Sequence, residues 1–223
     1  MSGANVSIER RGFLGSVAVS AAVAGLSAIG ATASTAEAAA ADGDFTKWLA
    51  SINGKYRQVY DMPEPNGGMG LIWSWVLQLT GSQGYGVTEK DIGVVVVLRH
   101  NAIPIALTDP VWEKYKLGEV FKINDPATKA PATRNAFYNI KPGDMPVPDA
   151  ALDKLLAKGV KVAACNMAIS FYSGMVAKQM GLNADEVKKD WLAAVIPGVQ
   201  VVPSGVLAIN GAQSKGCAYC FAG

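Results

Sequence analysis

Seven consecutive residues, Ile92-Gly93-Val94-Val95-Val96-Val97-Leu98, run without a single polar alternate. Side chains on a β-strand point in turn to its two faces, so a β-branched run of this kind is a strand covered on both sides. Such strands belong to parallel sheets, where helices lie over both faces and the crossovers join strand to strand. The run therefore predicts an α/β chain with alternating strands and helices. The segments on either side supply what that architecture needs.

Phe45 to Ile52 has helical spacing, and Tyr56 to Met62 alternates like a strand before Pro63-Glu64-Pro65 stops it. After the turn Asn66-Gly67-Gly68, Met69 to Thr80 reads as an apolar helix closed by Gly81. Arg99-His100-Asn101 ends the valine run. Thr108-Asp109-Pro110 starts another helix, with Thr108 or Asp109 as its cap and proline in the first turn. Lys122 to Pro148 is rich in Pro, Asn, Asp and Gly and shows no period; a loop of this length is usually functional or an interaction surface. Regular structure resumes with a helix over Asp149 to Lys158 and a strand over Val160 to Ala164 that ends at Cys165. A helix over Ser170 to Met180 follows, and Asn183 caps another running to Ala194. Val199 to Val202 is a strand closed by Pro203-Ser204-Gly205. The last helix covers Val206 to Lys215, with Cys217 to Phe221 a short final strand or tail. The expected fold is one three-layer α/β/α domain over residues 39–223, without internal repeats.

The N-terminus has a different design. The polar stretch Met1 to Arg11 ends in Arg10-Arg11, followed by Gly12-Phe13-Leu14. An uncharged Ala/Val/Gly/Leu run extends from Val17 to Ile29, and the small residues up to Ala38 come next. Charged, apolar and small-residue regions in that order make residues 1–38 a signal peptide. The paired arginines give it the twin-arginine type, which exports folded proteins to the periplasm. The apolar run is too short and too rich in Gly and Ala for a stable membrane anchor. Cleavage after Ala36 or Ala38 suits the small-residue rule; removal of residues 1–38 takes away two basic and two acidic residues, so the net charge of +2 is retained. No basic stripe interleaved with aromatics is present, which excludes the usual nucleic-acid footprint.

Three cysteines and one histidine carry the reactive chemistry of the exported part. Cys165 stands where a hydrophobic strand gives way to a helix, on the carboxyl edge where open α/β sheets bind ligands. A helix N-terminus there would favour the thiolate and leave the sulfur partly exposed; a small buried apolar cysteine is the plain alternative. Cys217-Ala218-Tyr219-Cys220 is a Cys-x-x-Cys motif near the C-terminus. Its spacing suits a redox disulfide, half of a metal site or a structural bridge. His100 follows the valine run directly and should reach the same carboxyl edge as Cys165. Asn66-Gly67-Gly68-Met69-Gly70 opens a helix but has neither a Walker pattern nor a Rossmann spacing, so it reads as a helix-entry turn and calls for no nucleotide cofactor.

Two stretches resemble the DsrE/DsrF-like family of sulfur-oxidation and sulfur-relay proteins. Lys158-Gly-Val-Lys-Val-Ala-Ala-Cys165-Asn166 is similar to the family's strand that ends in cysteine. Ile196-Pro-Gly-Val-Gln-Val-Val-Pro-Ser-Gly205, continuing through Gln213, Gly216 and Tyr219, is similar to its ending. Val94 to His100 fits the middle strand more loosely. The resemblance implies a three-layer α/β/α domain with a mostly parallel sheet, assembled as a homo-oligomer (trimer or hexamer). It also implies that Cys165 carries persulfide sulfur exchanged with a donor or acceptor protein or a small sulfur compound. A sulfurtransferase-like activity would follow; beyond the resemblance, this chain's own Cys217 and Cys220 could resolve the persulfide into a disulfide, and His100 could assist protonation if it reaches the site. The chain departs from the family in its signal peptide, in the 122–148 insertion and in the Cys217/Cys220 pair. Two rival readings stay open: a transition-metal-binding or assembly protein using Cys165, Cys217, Cys220 and His100 as ligands, and a non-catalytic oligomeric binding module.

Overall fold

The computed structural model describes residues 35–223, with side chains from residue 43 onward. Arg10, Arg11 and the apolar run of the proposed signal peptide lie outside the described residues. Helix α1 (Thr35–Ala50) leads into strand β1 (Tyr56–Met62), helix α2 (Met69–Gly84) and strand β2 (Ile92–Leu98). Short helices α3 (Asp109–Lys114) and α4 (Leu117–Val120) precede the 122–148 segment, which ends at helix α5 (Leu152–Ala157). Then come β3 (Lys161–Cys165), α6 (Asn166–Met180), α7 (Ala184–Ala193), β4 (Val199–Val202), α8 (Gly205–Ser214) and β5 (Ala218–Phe221). The five strands form one sheet in the order β4-β3-β2-β1-β5, and every neighbouring pair is parallel.

The valine run occupies the centre, and all of β2 is buried. Its alternate residues feed two separate cores. Val94, Val96 and Leu98 pack with Leu71 and Ile72 of α2, Leu152 and Leu155 of α5, Ile169 and Val176 of α6, and Trp191 of α7. Val95 and Val97 face the other way, against Phe45 and Trp48 of α1 and Ala208, Ile209 and Ala212 of α8. The result is the three-layer α/β/α arrangement, held by apolar burial of about 1.5–3 kcal/mol for each fully covered large side chain. Among the described residues no helix is long and apolar enough to cross a membrane.

Several boundaries differ from expectation for identifiable reasons. Gly81 does not close α2, which runs on to Gly84. Its role is close approach, since a Cβ there would meet Ile92 Cδ1 at 2.3 Å. Of the two expected caps of α3, Thr108 holds the N-cap position, while Asp109 Oδ1 accepts the amide of Asn135, at 2.9 Å. Helix α6 begins at Asn166, earlier than Ser170, because β3 ends at Cys165 and the chain turns directly into helix. Pro148–Ala150 is a short 3₁₀ turn, and the expected helix from Asp149 shrinks to Leu152–Ala157. Asn183 caps α7 as expected, its Oδ1 accepting from the amides of Asp185 and Glu186 at 2.9 and 3.1 Å.

The 122–148 segment lacks long elements yet is tied down. Arg134 bonds both oxygens of Asp144 at 2.6 Å and also pairs with Asp125 at 2.8 Å. Asn135, itself buried, donates to the carbonyls of Ile105 and Leu107, each at 2.9 Å, and its Oδ1 receives the Phe137 amide. Phe137 and Met145 then extend the larger core.

Candidate functional site at the carboxyl edge

Because all five strands are parallel, their carboxyl ends lie along one edge, and the crossover helices begin there. Cys165 closes β3 and serves as the N-cap of α6, where its Sγ accepts the Ala168 amide at 3.4 Å. A sulfur so placed faces the positive end of a helix of 15 residues. The expectation of partial exposure is corrected: Cys165 is only 6% exposed, because α6 starts immediately and covers it. Beside it on the sheet, Leu98 pairs with Ala164, so the next residue of that chain, Arg99, comes level with Cys165. The guanidinium and the thiol share one electrostatic field.

Arg99 is anchored by a residue the sequence analysis passed over. Asp61, buried near the end of β1, accepts Arg99 Nε at 2.6 Å and Nη2 at 2.9 Å in a two-pronged pair. Tyr219 of β5 donates its hydroxyl to the same carboxylate, at 2.9 Å. The hydrogen bond to Asp61, ahead of burial, holds the Arg99 guanidinium above its usual range. The Tyr219 hydroxyl is pushed up by desolvation first and by the Asp61 hydrogen bond second. Gly205, the first residue of α8, lets that helix lie on the Arg99 stem, since a Cβ there would meet Arg99 Cβ at 2.8 Å. Asp61 lies next to the last residue of β1, Arg99 directly after β2 and Tyr219 within β5; no local signal in the sequence joins positions so far apart.

His100 is on this edge, as expected, but its partners are not Cys165. Its ring is 3.4 Å from Glu64 through Nδ1 and meets Tyr172 edge-on at 5.7 Å. Asn101 donates to both Glu64 oxygens at 2.9 Å, and Tyr172 donates to Asn101 Oδ1 at 2.7 Å. Desolvation, with Glu64 second, pushes the Tyr172 hydroxyl up. Glu64 also lines a cleft of about 550 Å³ between the Asn66 turn and the 122–148 segment, with Phe121, Lys122, Phe137 and Gly223 on its walls. The Asn66-Gly67-Gly68 stretch is the helix-entry turn anticipated, with φ of 58° and 80° at its two glycines.

Cys217 and Cys220 are not brought to Cys165. Two strands lie between β5 and β3, a lateral separation of about 14 Å at normal strand spacing. Cys220 pairs across to Tyr60, well back from the edge, and Cys217 lies further back still. Nor do the two face each other. Cys217 is buried on the α1/α8 side of the sheet, while Cys220 packs against the opposite core. Residues three apart on an extended chain are about 10 Å apart at Cα, beyond disulfide reach, and all three cysteines are free thiols. Within one chain the expected resolving pair is thus not brought together: strand geometry turns the Cys217 and Cys220 side chains to opposite faces of the sheet. Cys165, Cys217, Cys220 and His100 are not gathered at one point within the chain, and among the described residues no group of three or more His, Cys, Asp or Glu side chains gathers as a metal site.

Compared with protein-family models and with curated proteins, the chain matches none.

Proposed function

We propose that this protein is a periplasmic sulfur-handling protein of the DsrE/DsrF-like type, exported by its Arg10-Arg11 signal, in which Cys165 carries sulfane sulfur as a persulfide. The observation that carries the reading is the position of Cys165 Sγ, capping α6 through the Ala168 amide while Arg99 stands on the neighbouring strand end. The Ala168 amide and the Arg99 guanidinium stand beside the attacking sulfur, and the thiolate is the form that attacks. In the transfer, the Cys165 thiolate bonds to the outer sulfur of a donor persulfide, R–S–SH. The donor's S–S bond breaks, R–S⁻ leaves with the electron pair and takes up a proton, and Cys165 keeps Cys–S–SH. No net oxidation occurs. The slight exposure of Cys165 favours a small persulfide as donor over a bulky protein persulfide. Asp61 acts as a positioning residue, holding Arg99 in one orientation while Tyr219 fixes the carboxylate.

The test is loading with a small persulfide, followed by intact-mass measurement. Wild-type protein should gain about 32 Da per bound sulfur, a persulfidation adduct, and Cys165→Ser should gain none while keeping its fold. Equal loading of the Cys165→Ser variant would overturn the reading.

A second reading, a homo-oligomeric binding module, is favoured by one feature. Met167, Phe171 and Met175 recur every fourth residue along α6 and are 40%, 55% and 39% exposed, an apolar stripe on one helix face. Both readings expect a trimer or hexamer by light scattering, and the mass of a single chain at micromolar concentration counts against both; an oligomer whose Cys165 takes up no sulfur favours the binding module.

A further inference from the structure

Strand β5 forms one lateral border of the sheet, and among the described residues it pairs with β1 alone. The Ala222 amide donates to the Asp61 carbonyl at 2.8 Å. Backbone groups alternate between the two sides of a strand, so Ala222 and Cys220 turn theirs toward β1. Tyr219 and Phe221 then turn their amides and carbonyls away from the sheet. A free border of this kind is a template for another strand, and proteins ordinarily guard it with charge, proline or a covering segment. The sequence of β5, Ala218-Tyr219-Cys220-Phe221, holds neither charge nor proline. Tyr219 and Phe221 are 48% and 55% exposed. The border on the other side is unlike it, since Val199 and Val202 of β4 are both buried.

We infer that β5 pairs with β5 of a second copy of this chain, antiparallel about a two-fold axis at Cys220, and that the two Cys220 thiols close a disulfide across it. The register follows from the outward groups. Opposed residues of an antiparallel pair exchange both hydrogen bonds only where their amides and carbonyls face each other. An axis at Cys220 sets Tyr219 of each copy against Phe221 of the other, and every outward group of both strands is used. An axis at Tyr219 would instead set Phe221 against Cys217, whose amide is already given to Ala212. The Cys220 axis also makes the two Cys220 residues a non-hydrogen-bonded pair, with Cα atoms about 4.5 Å apart, within disulfide reach. Their side chains leave the same face of the joined sheet. Tyr219 and Phe221 meet across the axis on the other face, an aromatic pair worth about 0.2–1 kcal/mol. No like charges are opposed, and the match of β5 to itself is what selects a second copy as the occupant. Cys220 is a free, half-buried thiol. Its oxidation needs a small disulfide, R–S–S–R. One Cys220 thiolate attacks it and releases R–S⁻; the partner's Cys220 thiolate then displaces the second R–S⁻ from the mixed disulfide. The two leaving groups take up the protons the cysteines gave, so two R–SH form as one protein disulfide does. This contact rests on neither Cys165 nor the α6 stripe.

The test is incubation of the full exported chain, folded and at micromolar concentration, with oxidised glutathione, read by non-reducing electrophoresis and peptide mass spectrometry. A dimer joined through a Cys220–Cys220 peptide is expected, and Cys220→Ser should form none. Phe221→Pro removes one outward amide from each copy and leaves the bonds to β1 in place. Two hydrogen bonds are then lost per dimer, so the yield of linked dimer should fall at least about tenfold. Phe221→Lys sets the usual guard on a strand border and provides the second arm should the proline variant fold poorly. Absence of a Cys220-linked dimer, whether or not glutathione is attached to Cys220, overturns the inference. So does a wild-type yield of that dimer from both Phe221 variants, which would mean that the thiols meet without strand pairing.

Discussion

Cys165 and Cys217 are equally buried, 6% exposed each, and each has an arginine on the neighbouring strand. Their surroundings nevertheless differ in kind. At the carboxyl edge, Cys165 receives a backbone amide, and Arg99 is clamped by a buried carboxylate. Toward the amino edge, Cys217 lies among Phe45, Trp48 and Val59, and burial pushes its thiol up more than Arg57 pulls it down. Arg57 has no ion pair among the described residues, and its Nε is buried without a partner. Burial alone therefore does not distinguish the two thiols. The direction of the helix behind each and the anchoring of its cation do, and in a parallel sheet both advantages fall on the carboxyl edge.

The strongest way to break this comparison is through the two arginines. Asp61→Ala strips Arg99 of its partner inside the fold, and loss of one member of a buried pair costs about 3 kcal/mol. The matching change at the other edge, Arg57→Met, removes a cation that has no pair, so its cost should be under about 1 kcal/mol. Urea denaturation of both variants checks this; equal losses would mean that Arg99 and Arg57 are not differently held. A smaller effect is expected for Cys217→Ala, about 1 kcal/mol for a small buried cavity, with sulfur loading unchanged by intact mass. Loading lost in that variant would return Cys217 to the site.

The smallest effect concerns the segment that walls the cleft on the carboxyl edge. Hydrogen bonding to Arg134 holds the Asp144 carboxyl below the ordinary range, and backbone amides of Thr128 and Ala127, with Arg134, do the same for Asp125. A carboxyl depressed in the folded state stabilises it above the unfolded value and ceases to do so as pH falls through the folded one. Hydrogen exchange in residues 122–148 should therefore speed up below about pH 4, while β2 stays protected. Uniform loss across both regions would show that the segment has no separate acid-sensitive latch.

How much of this was legible in the sequence follows from the range of each interaction. The non-alternating run Ile92–Leu98 placed the central strand and the parallel sheet, because strand side chains report their own burial. The Asn183 cap was equally local, its partners being two and three residues away. Gly81 was misread as a helix end because its reason is the Ile92 side chain across the layer. The Asp61–Arg99 pair joins residues 38 apart and Tyr219 reaches Asp61 over 158; neither pairing has a local pattern, and only strand order brings them together. The Cys-x-x-Cys motif misleads about contact for the opposite reason. Its spacing implies contact in a turn, and β5 is extended instead.

The central claim is that Cys165, although buried, is the working thiol. Its most direct test is the rate of modification of each cysteine by iodoacetamide in the native exported chain, resolved by peptide mass spectrometry. Cys165 should react at least about tenfold faster than Cys217, since thiolate character controls the rate, and Asp61→Asn should narrow the gap by loosening Arg99. A Cys165 that reacts no faster than Cys217 would contradict the account.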